Sequence, residues 1–332
     1  MDLADGQPLT GGDASDSVAL AAAPSSASSL ASKLLGVAFA VLGTVAMALG
    51  THLVAKSHRV SSKEQASRVF VAGNVLVVVV GTVFHLLAFY FAPQALVSPL
   101  GSLNIVNTVA LARWPVFGGV KLAARESAAV AATLAGCVIV VWAGPSGEEA
   151  HGGVQDALFG RRFFAFFVAS TAFALALDWA GESPRVAPAL ARVAWSAVGG
   201  VVGGLTNVFA KGAVDATKTR SVAATVGVGV GASAAASPLL LWTSAAALAS
   251  ALGAIQLAYL NRGLAKFSAL AVIPVYQVTL LSFSTLSGGV AFGELDGMGP
   301  ARAAAFVLGI ALSCAGVALL AGSPLLSGVV GV

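Results

Sequence analysis

Charged side chains are scarce in this chain. They make up 10% of its 332 residues, against about 25% in an ordinary water-soluble domain. That shortage excludes a soluble globular fold of this length. Cysteine is scarcer still: Cys137 and Cys314 both fall inside apolar runs, with no partners at ligand spacing, which excludes a disulfide scaffold and a zinc site. No basic run is present; the net charge of +4 is scattered over short connections, so nucleic acid is not a partner. No glycine-rich phosphate loop precedes a lysine, which removes ATP-driven transport. His52, His58, His85 and His151 show no pairing with a serine elbow, and only Asp178 sits well within an apolar run. Hydrolysis by a serine nucleophile or by an intramembrane carboxylate pair therefore has no residues to carry it. The chain reads as a non-enzyme with no catalytic residue and no cofactor.

What the chain has is apolar length. Hydrophobic residues make up 58% of it, the mean hydropathy is +0.90, and there are 38 glycines. Stretches of roughly 20 apolar residues match the hydrocarbon thickness of a bilayer, and glycine lets membrane helices approach closely. Backbone polar groups cannot be left bare in lipid, so these runs are helices. Nine spans are expected, over about 34–55, 70–91, 94–112, 122–142, 163–180, 193–213, 238–260, 264–292 and 302–321. The fold class is an all-α polytopic membrane protein. The glycine-dense segment Ser221–Ser237 reads as a loop, a re-entrant piece or a helix start, and a tenth span there stays open. Residues 1–32, rich in Ser, Ala, Gly and Asp, read as a disordered tail, and 324–332 as a short C-terminal tail.

The two halves are organised alike. Thr51-His-Leu-Val-Ala-Lys56 near the end of one apolar run matches Thr206-Asn-Val-Phe-Ala-Lys211 in another. Pro99 in "ALVSPLG" matches Pro274 in "LAVIPVY", and "AGCVIVVWAG" from Ala135 matches "AGVALLAG" from Ala315. The offsets are 155, 175 and about 180 residues, always in the same order. The transmembrane domain, 33–323, then divides into one repeat at about 33–145, a second at about 193–323, and an extra helix at about 162–180 between them. Secondary transporters are often built this way, with the substrate at the repeat interface. With the N-terminus outside, 11 of the 18 Lys and Arg residues fall on the inner side and 7 on the outer. That bias places the C-terminus in the cytoplasm.

The buried polar residues of the spans are mostly uncharged: Asn74, Asn104, Asn107, Asn207, Gln256, Asn261, Tyr276 and Gln277. Such groups either bond helix to helix or face a water-filled path. Asn104, Asn107, Tyr276 and Gln277 follow Pro99 and Pro274 by a few residues, and a proline frees a backbone carbonyl that needs another partner. A cation or its water shell is such a partner. The candidate path is therefore Asn104, Asn107, Gln256, Asn261, Tyr276 and Gln277, with Pro99 and Pro274. Lys56 and Lys211, at matched helix ends, either snorkel to headgroups or serve a substrate. Glu294 marks the interface or attracts a cation.

The stretches "FAPQALVSPLGSLN" (Phe91–Asn104) and "QLAYLNRGLAKFSALAVIPVYQV" (Gln256–Val278), with "FGE" ending at Glu294, resemble the NIPA-like magnesium transporters of the drug/metabolite transporter superfamily. The resemblance runs from about Leu34 to Leu320. It implies about nine spans, an outside N-terminus, residence in the plasma membrane or endosomes, and transport of magnesium or another divalent cation. The chain departs from the family where members commonly carry an Asn-Glu pair after the third span. Here "VFGGVKLAARE" (Val116–Glu126) puts about Val120, beside Lys121, at the acidic position, and the loop between spans one and two is short.

Three functions remain: a potential-driven carrier of magnesium or a similar cation, a drug/metabolite-type carrier of a small organic or anionic substrate with Lys56 and Lys211 as counter-charges, and a membrane scaffold. The partners implied are the bilayer, the transported ion and a possible second copy of the chain.

Overall fold

A computed structural model describes residues 26–57, 61–115, 123–145, 154–186, 188–225, 232–266 and 269–321. Among them there is no strand, and nine helices are long and apolar enough to cross a membrane. We number the helices α1 (Ser26–Ser57), α2 (Lys63–Asn74), α3 (Gly81–Phe91), α4 (Gln94–Leu100), α5 (Leu103–Ala112), α6 (Ala124–Ala143), α7 (Val154–Phe159), α8 (Arg161–Glu182), α9 (Pro188–Thr225), α10 (Ala232–Lys266), α11 (Ala269–Phe292) and α12 (Pro300–Ala321). Span two is α2 and α3 joined by a π-helical stretch, Val75–Val80; span three is α4 and α5. Spans one and four to nine are single helices, and α7 is a short piece before span five.

Several edges differ from those expected. α1 begins at Ser26, so the tail is helical for its last residues, and the Ser32 hydroxyl donates to the Phe91 carbonyl at 2.9 Å. Span two begins at Lys63, because its first turns are polar but helical and carry an exposed Glu64–Arg68 pair at 2.6 Å. An i,i+4 pair of this kind supports a helix end without any apolar signal. α9 runs on to Thr225 and α10 starts at Ala232. Both ends of Ser221–Ser237 thus continue the flanking spans, and 226–231 lie outside the described residues.

Span six is the centre of the bundle, with 78% of its apolar window buried, whereas spans two and seven lie at the periphery with 11% and 6%. Span six packs chiefly on spans seven, eight and five; span four packs along span nine; span one packs on spans two and three. Glycine sets how close span six comes to span eight: a Cβ on Gly204 would stand 2.6 Å from the Phe283 Cβ, closer than side chains tolerate.

Nine crossings fix the direction of each span. The start of span one and the ends of spans two, four, six and eight share one face, here called the N-terminal face. Lys33 (3.4 Å) and Arg302 (2.9 Å) both donate to the Gly144 carbonyl there, and Arg162 pairs with Asp296 at 3.1 Å. At the opposite face Arg262 pairs with Asp178 and Glu182 of span five and lies 4.4 Å over the Trp195 ring. Its partners are therefore protein groups of spans five and six.

Candidate functional site

Span three enters the bundle abruptly. Ala92 and Pro93 are extended, and α4 starts at Gln94 with every residue to Leu100 buried. The first amides of a helix lack partners within it. Here the Glu294 carboxylate, 200 residues along the chain, accepts from the Gln94 amide at 2.7 Å and the Ala95 amide at 2.6 Å. An anion at this helix end also meets the positive end of the dipole. Burial pushes the Glu294 carboxyl above its ordinary range, and the Lys211 ammonium and the two amides pull it back part of the way. Both oxygens being taken, Glu294 sits as a strap between α4 and the loop after span eight.

The Gln94 side chain continues this crossing into span eight. Its amide donates to the Ser284 carbonyl at 2.9 Å and reaches the Ser287 hydroxyl at 3.3 Å. Ser98 and Ser284 hydroxyls meet at 2.6 Å, and Asn207 of span six donates to the Ser284 hydroxyl at 2.9 Å. Spans three, six and eight are thereby joined by polar bonds at mid-depth. Pro99 is buried one residue beyond Ser98, and its carbonyl accepts from the Ser102 hydroxyl at 2.7 Å.

Beside this network lies a cavity of about 880 Å³. Its walls include Thr44, His85, Ser98, Gly101, Asn104, Asn207, Gln256, Tyr276, Gln277 and Ser284, together with apolar groups such as Met47, Leu86, Phe89, Trp242 and Leu280. Trp242, Tyr90 and Thr217 mark its end at the N-terminal face, and Gln256 and Tyr276 its end toward the opposite face. Fourteen residues of span seven separate Trp242 from Gln256, roughly 21 Å along a helix axis at 1.5 Å per residue. Gln256 donates to the Tyr276 hydroxyl, and the Gln277 amide reaches the Gly101 carbonyl at 3.5 Å.

Two buried polar atoms of cavity-wall residues, the Asn104 Oδ1 acceptor and His85 Nδ1, have no hydrogen-bond partner in the protein. Orphaned buried polar atoms are uncommon and call for a ligand or water. Among the described residues no three His, Cys, Asp or Glu side chains converge on one point. A cation in this cavity would instead meet amides, hydroxyls and backbone carbonyls, the hard oxygen donors that magnesium favours.

Four sequence candidates therefore meet in one cavity: Asn104, Gln256, Tyr276 and Gln277. Asn107 lies nearby but is bonded away, donating to the Thr44 hydroxyl at 3.0 Å. Asn261 is exposed at the end of span seven, apart from the cavity, and Asn74 donates to its own helix at Phe70. Pro274 falls within α11, and its side chain lies outside the described residues.

The paired lysines part company. Lys56 is exposed in the last turn of α1. Lys211 is buried within span six, not at its end; it donates to the Phe89 carbonyl at 2.6 Å and pairs with Asp215 at 3.0 Å. Lys218 approaches the same carboxylate at 3.1 Å and lies 5.0 Å over the Tyr90 ring. Asp215 is thus a second intramembrane carboxylate besides Asp178. The spacing Lys211-x-x-x-Asp215-x-x-Lys218 is a pairing pattern on one helix face, readable once span six is extended past residue 213. Glu126 was also missed: it is buried, and it accepts from the Ala123 amide at 2.7 Å at the start of α6. Val120 and Lys121 lie outside the described residues.

A polytopic helical bundle with a central cavity crossed by amides and hydroxyls is a membrane-transporter architecture. The profile of one such family, "Magnesium transporter NIPA", matches residues 31–323, nearly the whole chain, and the protein belongs to that family. No curated protein and no solved structure matches it.

Proposed function

We propose that the protein carries magnesium, or another divalent cation, across the membrane through the cavity lined by Asn104, Asn207, Gln256, Tyr276 and Gln277. The observation that carries this reading is the buried, unpartnered Asn104 Oδ1, a hard oxygen acceptor on a residue of the cavity wall, beside a polar crossing of spans three, six and eight. A partly hydrated ion keeps most of its waters and needs few protein oxygens. The membrane potential contributes roughly 4.6 kcal/mol per 100 mV to inward movement of a doubly charged ion, twice the single-charge value. In this reading the N-terminus is outside, and the two halves are inverted copies separated by span five. Glu294 and Lys211 then hold the N-terminal face, while Lys56 stands at the corresponding place on the other.

Growth at low magnesium of cells lacking their own magnesium uptake tests this. Expression of the chain restores growth, and Asn104→Ala removes the rescue at equal membrane abundance. Rescue undiminished in Asn104→Ala would overturn the assignment of the path. The apolar share of the cavity wall favours a second reading, a carrier of a small organic substrate. It is distinguished by absence of rescue together with uptake that ignores magnesium.

A further inference from the structure

The cavity has a side as well as an end. On that side its wall is made by Thr82 and Leu86 of span two and by Trp242, Ala246, Ala249 and Ser250 of span seven. Several of these wall residues keep accessible surface: Leu86 is 36% and Trp242 41% exposed, and Thr82 and Ser250 are exposed too. Accessible wall residues on this side fit an opening there. Helix packing agrees: span two lies mainly on span one, and span seven lies almost wholly on span six. Spans two and seven share no extended contact among the described residues. They are also the two least buried spans, so the opening faces lipid.

We infer that the cavity opens sideways into the bilayer between spans two and seven and holds one acyl chain of an anionic phospholipid from the leaflet at the N-terminal face. Three observations select this occupant. The solvent outside spans two and seven is hydrocarbon. The wall reached first through the opening is mostly apolar, with the Thr82 and Ser250 hydroxyls beside Leu86, Trp242, Ala246 and Ala249, and the cavity volume falls within the roughly 300–1,000 Å³ of small-ligand sites. At the N-terminal end of the opening stand Tyr90 and, over its ring, the Lys218 ammonium, which suits a phosphate at headgroup level. Asp215 already shares its charge between Lys211 and Lys218, and Glu294 is taken up by the amides of α4. The chain would leave Asn104 and His85 to water and the ion, and would dry the rest of the cavity around them.

The test does not depend on transport. The full-length protein is purified from nanodiscs of phosphatidylcholine and phosphatidylglycerol and weighed intact with its retained lipid. The wild type retains one phosphatidylglycerol per chain. Ala246→Phe and Ala249→Phe fill the cavity and lose it, whereas Ala247→Phe, an exposed position of the same helix outside the cavity, keeps it. Lys218→Gln keeps a lipid but loses the preference for phosphatidylglycerol. No lipid on the wild type, equal retention in all variants, or a lipid-free dimer, in which a second copy covers this face, would each overturn the inference. A second measurement needs no variant: phosphatidylglycerol with a photoreactive group in mid-chain labels Met47 or Leu280, which lie inside the cavity. Labelling confined to outward residues such as Val138 and Val307 overturns it.

Discussion

At Asn104 the protein keeps an amide oxygen buried and unpartnered, and the proposed path gives that atom to the ion. Losing a hydrogen-bond or ligand contact to a charged group costs about 1.5–3 kcal/mol, so Asn104→Ala should slow magnesium uptake by about tenfold or more, read in proteoliposomes at matched protein content. Glu294 gives a pH test. Its folded-state carboxyl titrates above the ordinary value of 4.5, so the fold binds more protons than the unfolded chain between the two values. Its stabilising contribution is complete below about pH 4.5 and is lost as pH rises through the raised value. Thermal unfolding in detergent should show that fall as pH rises above 4.5, and Glu294→Gln should flatten it. The two lysines make a third contrast. Lys211→Met leaves buried acceptors behind and should destabilise the protein by about 3 kcal/mol, whereas Lys56→Met should stay within about 0.5 kcal/mol; chemical unfolding of both variants compares them. Sequence reading put Asn104, Asn107, Gln256, Asn261, Tyr276 and Gln277 on one candidate path, because amides and phenols in apolar runs stand out; four of the six line one cavity, and Asn107 and Asn261 do not. It overlooked Gln94, Ser98 and Ser284, because serines are common in membrane helices and Gln94 sat at an expected boundary. It put Lys211 at a helix end, open to snorkelling or to a substrate, because apolar length alone ended span six two residues after it.

At the level of helices, bilayer thickness made the spans readable: an apolar run of fixed length has few alternatives in lipid. What apolar length does not encode is where a helix continues past the hydrocarbon. Span two begins seven residues earlier than the expected 70, and α9 runs twelve past the expected 213, since polar helical turns look like loops to hydropathy. The close approach of spans six and eight was likewise invisible until the facing residues were known. Gly204→Val should push its added carbons into Phe283, whose Cβ a single added atom would already approach to 2.6 Å. Overpacking of that kind costs about 1–3 kcal/mol, and a lowered melting temperature of the purified variant would register it. Unchanged melting would mean that spans six and eight separate more easily than their packing implies.

For the whole molecule, inverted halves belong to the proposed reading: the duplicated landmarks suggest them, and an odd number of crossings separates Lys56 from Lys211. Lys211 is not a loop residue, so the basic bias toward the face opposite the N-terminus is larger than the sequence tally of 11 against 7. A fluorescent protein fused to the C-terminus should therefore be protected from external protease, and digestion in intact cells would reverse the orientation. The strap from Glu294 to α4 also sets a timetable. Its two ends are 200 residues apart, and chains are synthesised at about 5–20 residues per second. Span three therefore spends at least roughly 10 s in the membrane with its first amides waiting for a carboxylate that has not yet been made, an interval in which a chaperone, a headgroup or water must stand in for it.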